Sequence, residues 1–258
     1  MYIQKAVNLL IQAEKTKVPS EPFTSSMEEI SVDEAYQIQL GYVRSKQENG
    51  AEIVGKKVGL TSKAMQEMLK VNQPDYGHLM DDMIYENKST ISLNRFIEPR
   101  IEFEIAFVLK KDLKGPGVTV DDVVAATDYV LPAFEIIDSR IRDWEINFED
   151  TVADNGSSAG AIFGETKKSL ENIDLPEVKM DVYQNGQLID QATGEAVMGN
   201  PINAVAWLAN AIGSYGITLK KGEKILAGAL SKAIPVEIGD EFTVHFTELG
   251  EISVKFSE

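Results

Sequence analysis

The spacing of apolar positions changes character along the chain. Near the start, Ile3, Val7 and Leu10 recur at three- and four-residue intervals, which predicts an amphipathic helix. A Pro/Ser stretch from Pro19 to Pro22 follows. Ser31, with Glu34 three residues on, has the form of a capping box, and the helix it predicts carries Ala35, Ile38, Tyr42 and Val43 as far as Asn49-Gly50. A short strand is predicted over 53–60. Thr61 or Ser62 then caps a helix through Met65 and Leu69. Residues 1–80 therefore read as a mainly helical region.

Beyond residue 95 the period shortens to two. Residues 101–109 alternate as a strand does. Lys114-Gly-Pro-Gly117 is a turn, and Thr119 with Asp122 caps a short helix. Residues 127–137 are strand-like, with an interruption predicted at Pro132. Asn185-Gly186 between the apolar runs 180–183 and 188–189 predicts a hairpin. Asn200-Pro201 opens a helix with Pro at its first position, and Ala204, Leu208 and Ile212 line one face. Three strand-like runs, 224–227, 242–246 and 252–256, close the chain. Sequential strands with few intervening helices predict an α+β fold rather than a doubly wound parallel sheet, with residues 81–258 as its β-rich part.

Composition narrows the chemistry. The chain has 258 residues, 43% hydrophobic and 26% charged, the mix of a globular protein with a sizeable core. Lys plus Arg number 25 against 41 Asp plus Glu, a formal charge of −16. So acidic a body repels phosphate backbones and anionic lipid, so neither nucleic acid nor membrane is expected as a partner. Cysteine is absent, which removes disulfides, thiol nucleophiles, iron–sulfur clusters and thiolate zinc sites. With only His78 and His245, a three-histidine metal centre is excluded, and oxygen must dominate any metal site. No apolar run approaches the ~20 residues that cross a bilayer. The start of the chain lacks the order of a signal peptide, so a cytoplasmic protein is expected.

The most informative segment is Pro99-Arg-Ile-Glu-Phe-Glu-Ile-Ala-Phe-Val-Leu109. On a strand, Ile101, Phe103, Ile105 and Phe107 share one face, and Glu102, Glu104, Ala106 and Val108 share the other. One reading is a half-exposed strand with a solvated acidic end. The other is a metal site: the Glu face runs on into Ala and Val and so enters a core, where paired carboxylates repel unless a cation neutralises them. Glu135, the acid within apolar Val130-Leu-Pro-Ala-Phe-Glu-Ile-Ile, suits a third ligand. All-oxygen ligation with room for water and substrate favours Mg²⁺ or Mn²⁺.

Other motifs carry less. Gly156-Ser-Ser-Ala-Gly160 matches a nucleophile elbow at Ser158, with His245 downstream, but that motif needs a strand before and a helix after. Here a turn precedes and a strand-like run follows. Gly115-x-Gly117 lacks the third glycine of a dinucleotide site. His78, beside Gly77, reads as a loop histidine at the surface or behind the site.

Gly55-Lys-Lys-Val-Gly-Leu-Thr61, Gln73-Pro-Asp-Tyr-Gly77, Pro99-Arg-Ile-Glu-Phe-Glu-Ile105, Glu135-Ile-Ile-Asp-Ser-Arg140 and Val152-Ala-Asp-Asn-Gly-Ser157 occur in that order. Together they resemble the 2-oxopent-4-enoate (2-hydroxypentadienoate) hydratases and 4-oxalocrotonate decarboxylases of aromatic meta-cleavage pathways, in the fumarylacetoacetate hydrolase superfamily. The resemblance covers nearly the whole chain. It implies a mixed β-roll core with a helical N-terminal part, residues 81–258 as the metal-binding catalytic part, and a homo-oligomer. By position it makes Glu102, Glu104 and Glu135 the ligands of Mg²⁺ or Mn²⁺, Lys57 and Asp75 the catalytic pair, and Asn155 and Ser157 substrate contacts. Arg140 reads as structural, paired with carboxylates nearby. In the decarboxylases of this resemblance the Asp of Gln-Pro-Asp-Tyr-Gly is apolar, so Asp75 points to the hydratase branch. His78 stands where those hydratases carry a small hydroxyl residue.

The expected substrate is a 2-hydroxy-2,4-dienoate, whose carboxylate and 2-oxygen can chelate a divalent cation. The expected reaction is hydration to 4-hydroxy-2-oxopentanoate. The alternatives are decarboxylation of a 2-oxo-3-hexenedioate, C–C bond hydrolysis, or metal-assisted dicarboxylate binding without turnover.

Overall fold

The computed structural model describes residues 2–26, 30–68 and 70–258. The described helices are α1 (Tyr2–Thr16), α2 (Phe23–Ser26), α3 (Val32–Glu48), α4 (Lys63–Met68), α5 (Val120–Ala126), α6 (Phe148–Ala153) and α7 (Pro201–Gly213). The strands are β1 (Ile53–Gly59), β2 (Asp75–Met80), β3 (Ile84–Tyr85), β4 (Thr90–Ser92), β5 (Arg100–Leu109), β6 (Thr127–Ile137), β7 (Ser158–Phe163), β8 (Lys179–Gln184), β9 (Gln187–Thr193), β10 (Lys224–Ala229), β11 (Ile234–Pro235), β12 (Glu241–Phe246) and β13 (Gly250–Ser257).

Local chemistry accounts for the element ends. Ser31 closes a reciprocal capping box with Glu34 at the start of α3, and Thr119 does the same with Asp122 at α5. Ser62, rather than Thr61, caps α4 through Met65 N–H. Leu69, expected in that helix, lies outside the described residues. Asn185 and Gly186 take φ of 53° and 78°, the left-handed pair that a tight hairpin requires between β8 and β9. Asn200 caps α7 with Pro201 at its first position.

One expectation about a strand fails. Pro132 does not interrupt β6, which runs unbroken through it. Within a strand a residue's N and C=O point to the same side. The Pro132 carbonyl accepts from Gly164 N–H, just past the end of β7, so the missing N–H falls where the neighbouring strand has ended.

The larger sheet runs β2-β1-β10-β5-β6-β7-β3, with β11 also on β5; the smaller runs β4-β13-β12-β8-β9. Most pairings are antiparallel, with β1 parallel to β10, β3 to β7 and β4 to β13. β1 and β2 come from residues 1–80 and form one end of the larger sheet, while α1 and α3 pack beside them. Ile101, Phe103, Ile105 and Phe107 face the main core. There Phe103 meets Phe134 at 5.4 Å and Phe242 of the smaller sheet at 6.0 Å, which ties the two sheets together. Burying each such ring stabilises the fold by roughly 1.5–3 kcal/mol. The opposite face of the larger sheet holds a second, smaller apolar cluster of Leu79, Ala106, Val108, Leu131, Ala133, Ala161 and Leu226. The acidic face of β5 runs into this cluster. The fold is α+β, as the sequence predicts.

Candidate metal centre and active site

Strand register brings the three acids together. Glu102 on β5 is the direct cross-strand partner of Glu135 on β6, and Glu104 lies two residues along the same face, opposite Ala133. All three are buried, and one oxygen of each lies within 4.8 Å of the others. Glu104 Oε2 accepts from Gly228 N–H at 2.7 Å. Glu104 Oε1 and both Glu135 oxygens have no hydrogen-bond partner. Buried polar atoms of native proteins are nearly always paired, so unpaired carboxylate oxygens converging on one point fit a hard divalent cation.

Electrostatics point the same way. Burial pushes the Glu102 carboxyl up to about 7, with Lys57 opposing and Glu135 adding to the rise. Burial, then Glu135 and Glu102, push Glu104 well above the carboxylate range. Burial raises Glu135 too, against the pull of Lys57, whose Nζ lies 3.6 Å from Glu135 Oε2. Without a cation the cluster must hold protons that three carboxylates would otherwise shed.

Lys57 and Asp75 meet beside this cluster. β1 projects Lys57, and β2 projects Asp75 from the position opposite Gly59. Both are buried, at 4% and 2% exposure. Burial would depress the Lys57 ammonium, but Glu135, Asp75, Glu102 and Glu104 together outweigh it and hold the proton more firmly than usual. Burial raises the Asp75 carboxyl, against Lys57 and the Thr151 hydroxyl, which donates to Asp75 Oδ2 at 3.4 Å. Two glycines make the room. A Cβ at Gly59 would stand 2.1 Å from Asp75 Oδ1, and one at Gly156, where φ is +59°, would stand 3.0 Å from Lys57 Cε.

The segment Asn155-Gly156-Ser157 takes three consecutive left-handed conformations, φ 58°, 59° and 55°. Each non-glycine instance costs on the order of 1 kcal/mol or more, and the surroundings hold it in place. Arg140 is the main fastening. Its Nε donates to Asp154 Oδ1 at 2.6 Å and its Nη1 to the carbonyls of Asp138 and Ser158, which agrees with its structural reading. Asn155 clamps β2: its Oδ1 accepts from His78 N–H at 2.7 Å and its Nδ2 donates to the His78 carbonyl at 2.9 Å. His78 is accordingly a buried residue of β2, 1% exposed, and not the loop histidine expected from its glycine neighbour.

A cavity of about 370 Å³ opens over the site. Lys57, Asp75, Glu102 and Ser157 line it; Asn155 does not, since its amide is spent on β2. Glu104 and Glu135 lie fully buried beneath. Ser158 opens β7 with no helix after it, and His245 lies exposed on β12 paired with Glu251, so these two do not form a serine–histidine pair at a nucleophile elbow. The sequence reading missed Thr151, whose hydroxyl reaches Asp75, and Gly228, whose N–H reaches Glu104; neither has a local signal, because each meets a partner distant in sequence.

A mixed sheet with three buried carboxylates converging beneath a cavity defines the class: a divalent-metal enzyme. No protein-family model matches the chain. It is 44% identical over 259 residues to a 2-hydroxyhexa-2,4-dienoate hydratase of Comamonas testosteroni, covering all of this chain and 98% of that protein. It is 47% identical over 209 residues to a 2-hydroxypent-2,4-dienoate hydratase of Pseudomonas putida, covering 81% of this chain and 94% of the other. The 4-oxalocrotonate decarboxylase of Pseudomonas putida G7, solved with magnesium and adipate, superposes with a TM-score of 0.96 at 35% identity over 98% of this chain and 97% of that one. The chain therefore belongs to the 2-oxopent-4-enoate hydratase and 4-oxalocrotonate decarboxylase family. At 13% identity and a TM-score of 0.63, a fumarylpyruvate hydrolase of Pseudomonas aeruginosa solved with Mn²⁺ shares the fold.

Proposed function

We propose that this chain is a Mg²⁺- or Mn²⁺-dependent hydratase that converts 2-hydroxypenta-2,4-dienoate (2-oxopent-4-enoate) into 4-hydroxy-2-oxopentanoate in aromatic meta-cleavage catabolism. The observation that carries this reading is the burial of Asp75 and Lys57 together beside the carboxylate triad at the cavity floor. Glu102, Glu104 and Glu135 hold the cation. When bound, the cation supplies Lewis acidity to a chelating carboxylate and 2-oxygen.

Hydration moves protons as well as water. The enol O–H proton leaves, C5 gains a proton, water oxygen bonds to C4 as it loses a proton, and C3 gains one. Asp75 and Lys57 are the ionisable side chains placed to exchange those protons. Lys57, held charged by four carboxylates, also draws the anionic substrate into a strongly acidic site. Ser157 contacts the substrate at the cavity wall, and Asn155 serves by fixing the loop that carries it. The chain acts in the cytoplasm as a homo-oligomer; exposed Leu188 and Ile189 on edge strand β9 support self-association.

A second reading, decarboxylation of a 2-oxo-3-hexenedioate, is favoured by the likeness to the decarboxylase structure. Asp75 opposes it: loss of CO₂ requires no acid at that position. The test is the Mg²⁺-loaded protein offered both substrates, following dienol absorbance and CO₂ release. Hydration with little CO₂ is expected. Decarboxylation outrunning hydration would overturn the hydratase reading.

A further inference from the structure

The inward positions of α3 are Ala35, Tyr36, Ile38, Gln39, Tyr42 and Val43, and Gln39 alone among them is neither aliphatic nor aromatic. It is 0% exposed. An apolar residue would complete this face, and a buried amide costs free energy unless its groups are paired. Its two N–H groups are paired: Nε2 donates to the Tyr76 carbonyl at 2.9 Å and to the Val152 carbonyl at 2.8 Å. Its Oε1 has no partner. A side chain that breaks the pattern of its own helix and leaves one oxygen unpaired is kept for what its donors hold.

Those two carbonyls belong to the elements that carry Asp75 and Thr151. β2 is the end strand of the larger sheet, paired along one side with β1. Backbone groups alternate in direction along a strand, so Tyr76 and His78 present theirs to the open side. Asn155 takes both groups of His78, and Gln39 takes the Tyr76 carbonyl. Val152 lies in the last turn of α6, where carbonyls lack a helical partner. One amide thus ties the residue after Asp75 to the residue after Thr151.

Thr151 is 5% exposed, and its hydroxyl donates to Asp75 Oδ2 at 3.4 Å. At that length the bond is near the limit of a hydrogen bond, so it survives only while β2 and α6 keep their separation, which Gln39 fixes. A hydroxyl rotates to suit its partner, donating to a carboxylate and accepting from a carboxylic acid. It can therefore hold the Asp75 group in one orientation whether or not that group carries a proton.

We infer that Thr151 is a positioning residue for the Asp75 carboxyl, and that Gln39 sets the separation at which it acts. This rests on the hydratase reading for the role of Asp75. Thr151→Val keeps the shape and removes the hydroxyl. It is expected to lower kcat for hydration of 2-hydroxypenta-2,4-dienoate about 10- to 100-fold, with KM within about threefold. Thr151→Ser should recover most of that loss. Gln39→Met keeps the length and loses both donors; assayed well below its melting temperature, it should lower kcat about 10-fold or more. In an Asp75→Asn background each of these losses should shrink to less than about twofold, because a group that acts through Asp75 has nothing left to orient. Wild-type kcat in Thr151→Val, or its full loss repeated in the Asp75→Asn background, would overturn the positioning role. A change confined to KM would do so too, placing Thr151 on the substrate instead. Wild-type kcat in Gln39→Met would overturn the part given to Gln39. A crystal structure of Mg²⁺-loaded Thr151→Val needs no turnover. There the Asp75 carboxyl is expected to be turned or divided between two orientations, and a single orientation like that of the wild type would again overturn the role. A turned carboxyl in a protein whose wild type hydrates no dienoate would instead remove the hydratase reading and leave Thr151 as the residue that orients Asp75.

Discussion

Asp75 is surrounded by reasons to hold a proton and by a neighbour that takes one away: burial lifts its carboxyl, and Lys57 pulls it back. Asp75→Asn preserves size and the approach of Thr151, but ends proton exchange. It is expected to lower kcat by roughly 10²–10⁴-fold, the weight of a positioned acid or base. Mg²⁺ affinity should hold, because the proposed ligands sit on β5 and β6. A change confined to KM would give Asp75 a binding role instead. Glu104 invites an opposite pair of outcomes. Its carboxyl is raised by burial and by two like charges, so ionising it destabilises the metal-free fold near neutral pH. Glu104→Gln is neutral without having to hold a proton, so it removes that cost, and it keeps an acceptor for Gly228 N–H. In EDTA the variant should melt a few degrees above the wild type, and added Mg²⁺ should raise its melting temperature less. A variant that melts lower in EDTA and gains the full Mg²⁺ shift would remove Glu104 from the cation site.

At the scale of elements, the site depends on one loop gripping one strand. Asn155 satisfies both backbone groups of His78, so Asn155→Ala leaves a buried N–H and C=O unpaired. Each such loss costs on the order of 1–3 kcal/mol. The variant is expected to lose about 2–4 kcal/mol in urea unfolding, with activity falling as the Asn155-Gly156-Ser157 segment loosens against Lys57; an unchanged midpoint would show that the clamp carries no stability. This interaction was illegible in the sequence, where Asn155 resembles a substrate contact. What was legible had a local cause. The alternation of β5 placed Glu102 and Glu104 on one face, Ser31–Glu34 and Thr119–Asp122 announced their helices, and Asn185-Gly186 announced its hairpin. The misreadings share a different cause. Pro132 is tolerated because β7 ends beside it, and His78 is buried because β2 pairs with β1 and packs under a distant loop. Neither neighbour lies near in sequence.

For the whole molecule, the same buried histidine sets a pH dependence that the acidic surface would conceal. His78 is pushed down to about 3, first by burial and then by the Lys56 ammonium, with the Asn155 contact opposing. Lys56 is itself held in place by Glu223 at 2.9 Å, so that positive charge stays beside the ring. The unfolded chain takes up the His78 proton near pH 6.5, and the folded one does so only near pH 3. A depressed folded value means a contribution that is fully present above pH 6.5 and lost as pH falls from there toward 3. Between pH 7.5 and pH 5 this single group should remove about 2 kcal/mol of unfolding free energy. Many carboxylates titrate below pH 5, so the isolating measurement is a difference. Urea midpoints of wild type and His78→Gln are compared at pH 7.5 and pH 5, in EDTA so that metal release does not enter. The variant is expected to start less stable, having lost a fitted buried ring, and to decline less on acidification by roughly that amount. Parallel declines in the two proteins would mean that His78 accepts its proton in the folded state as readily as in the unfolded one, with water or a rearranged Glu223 reaching the ring.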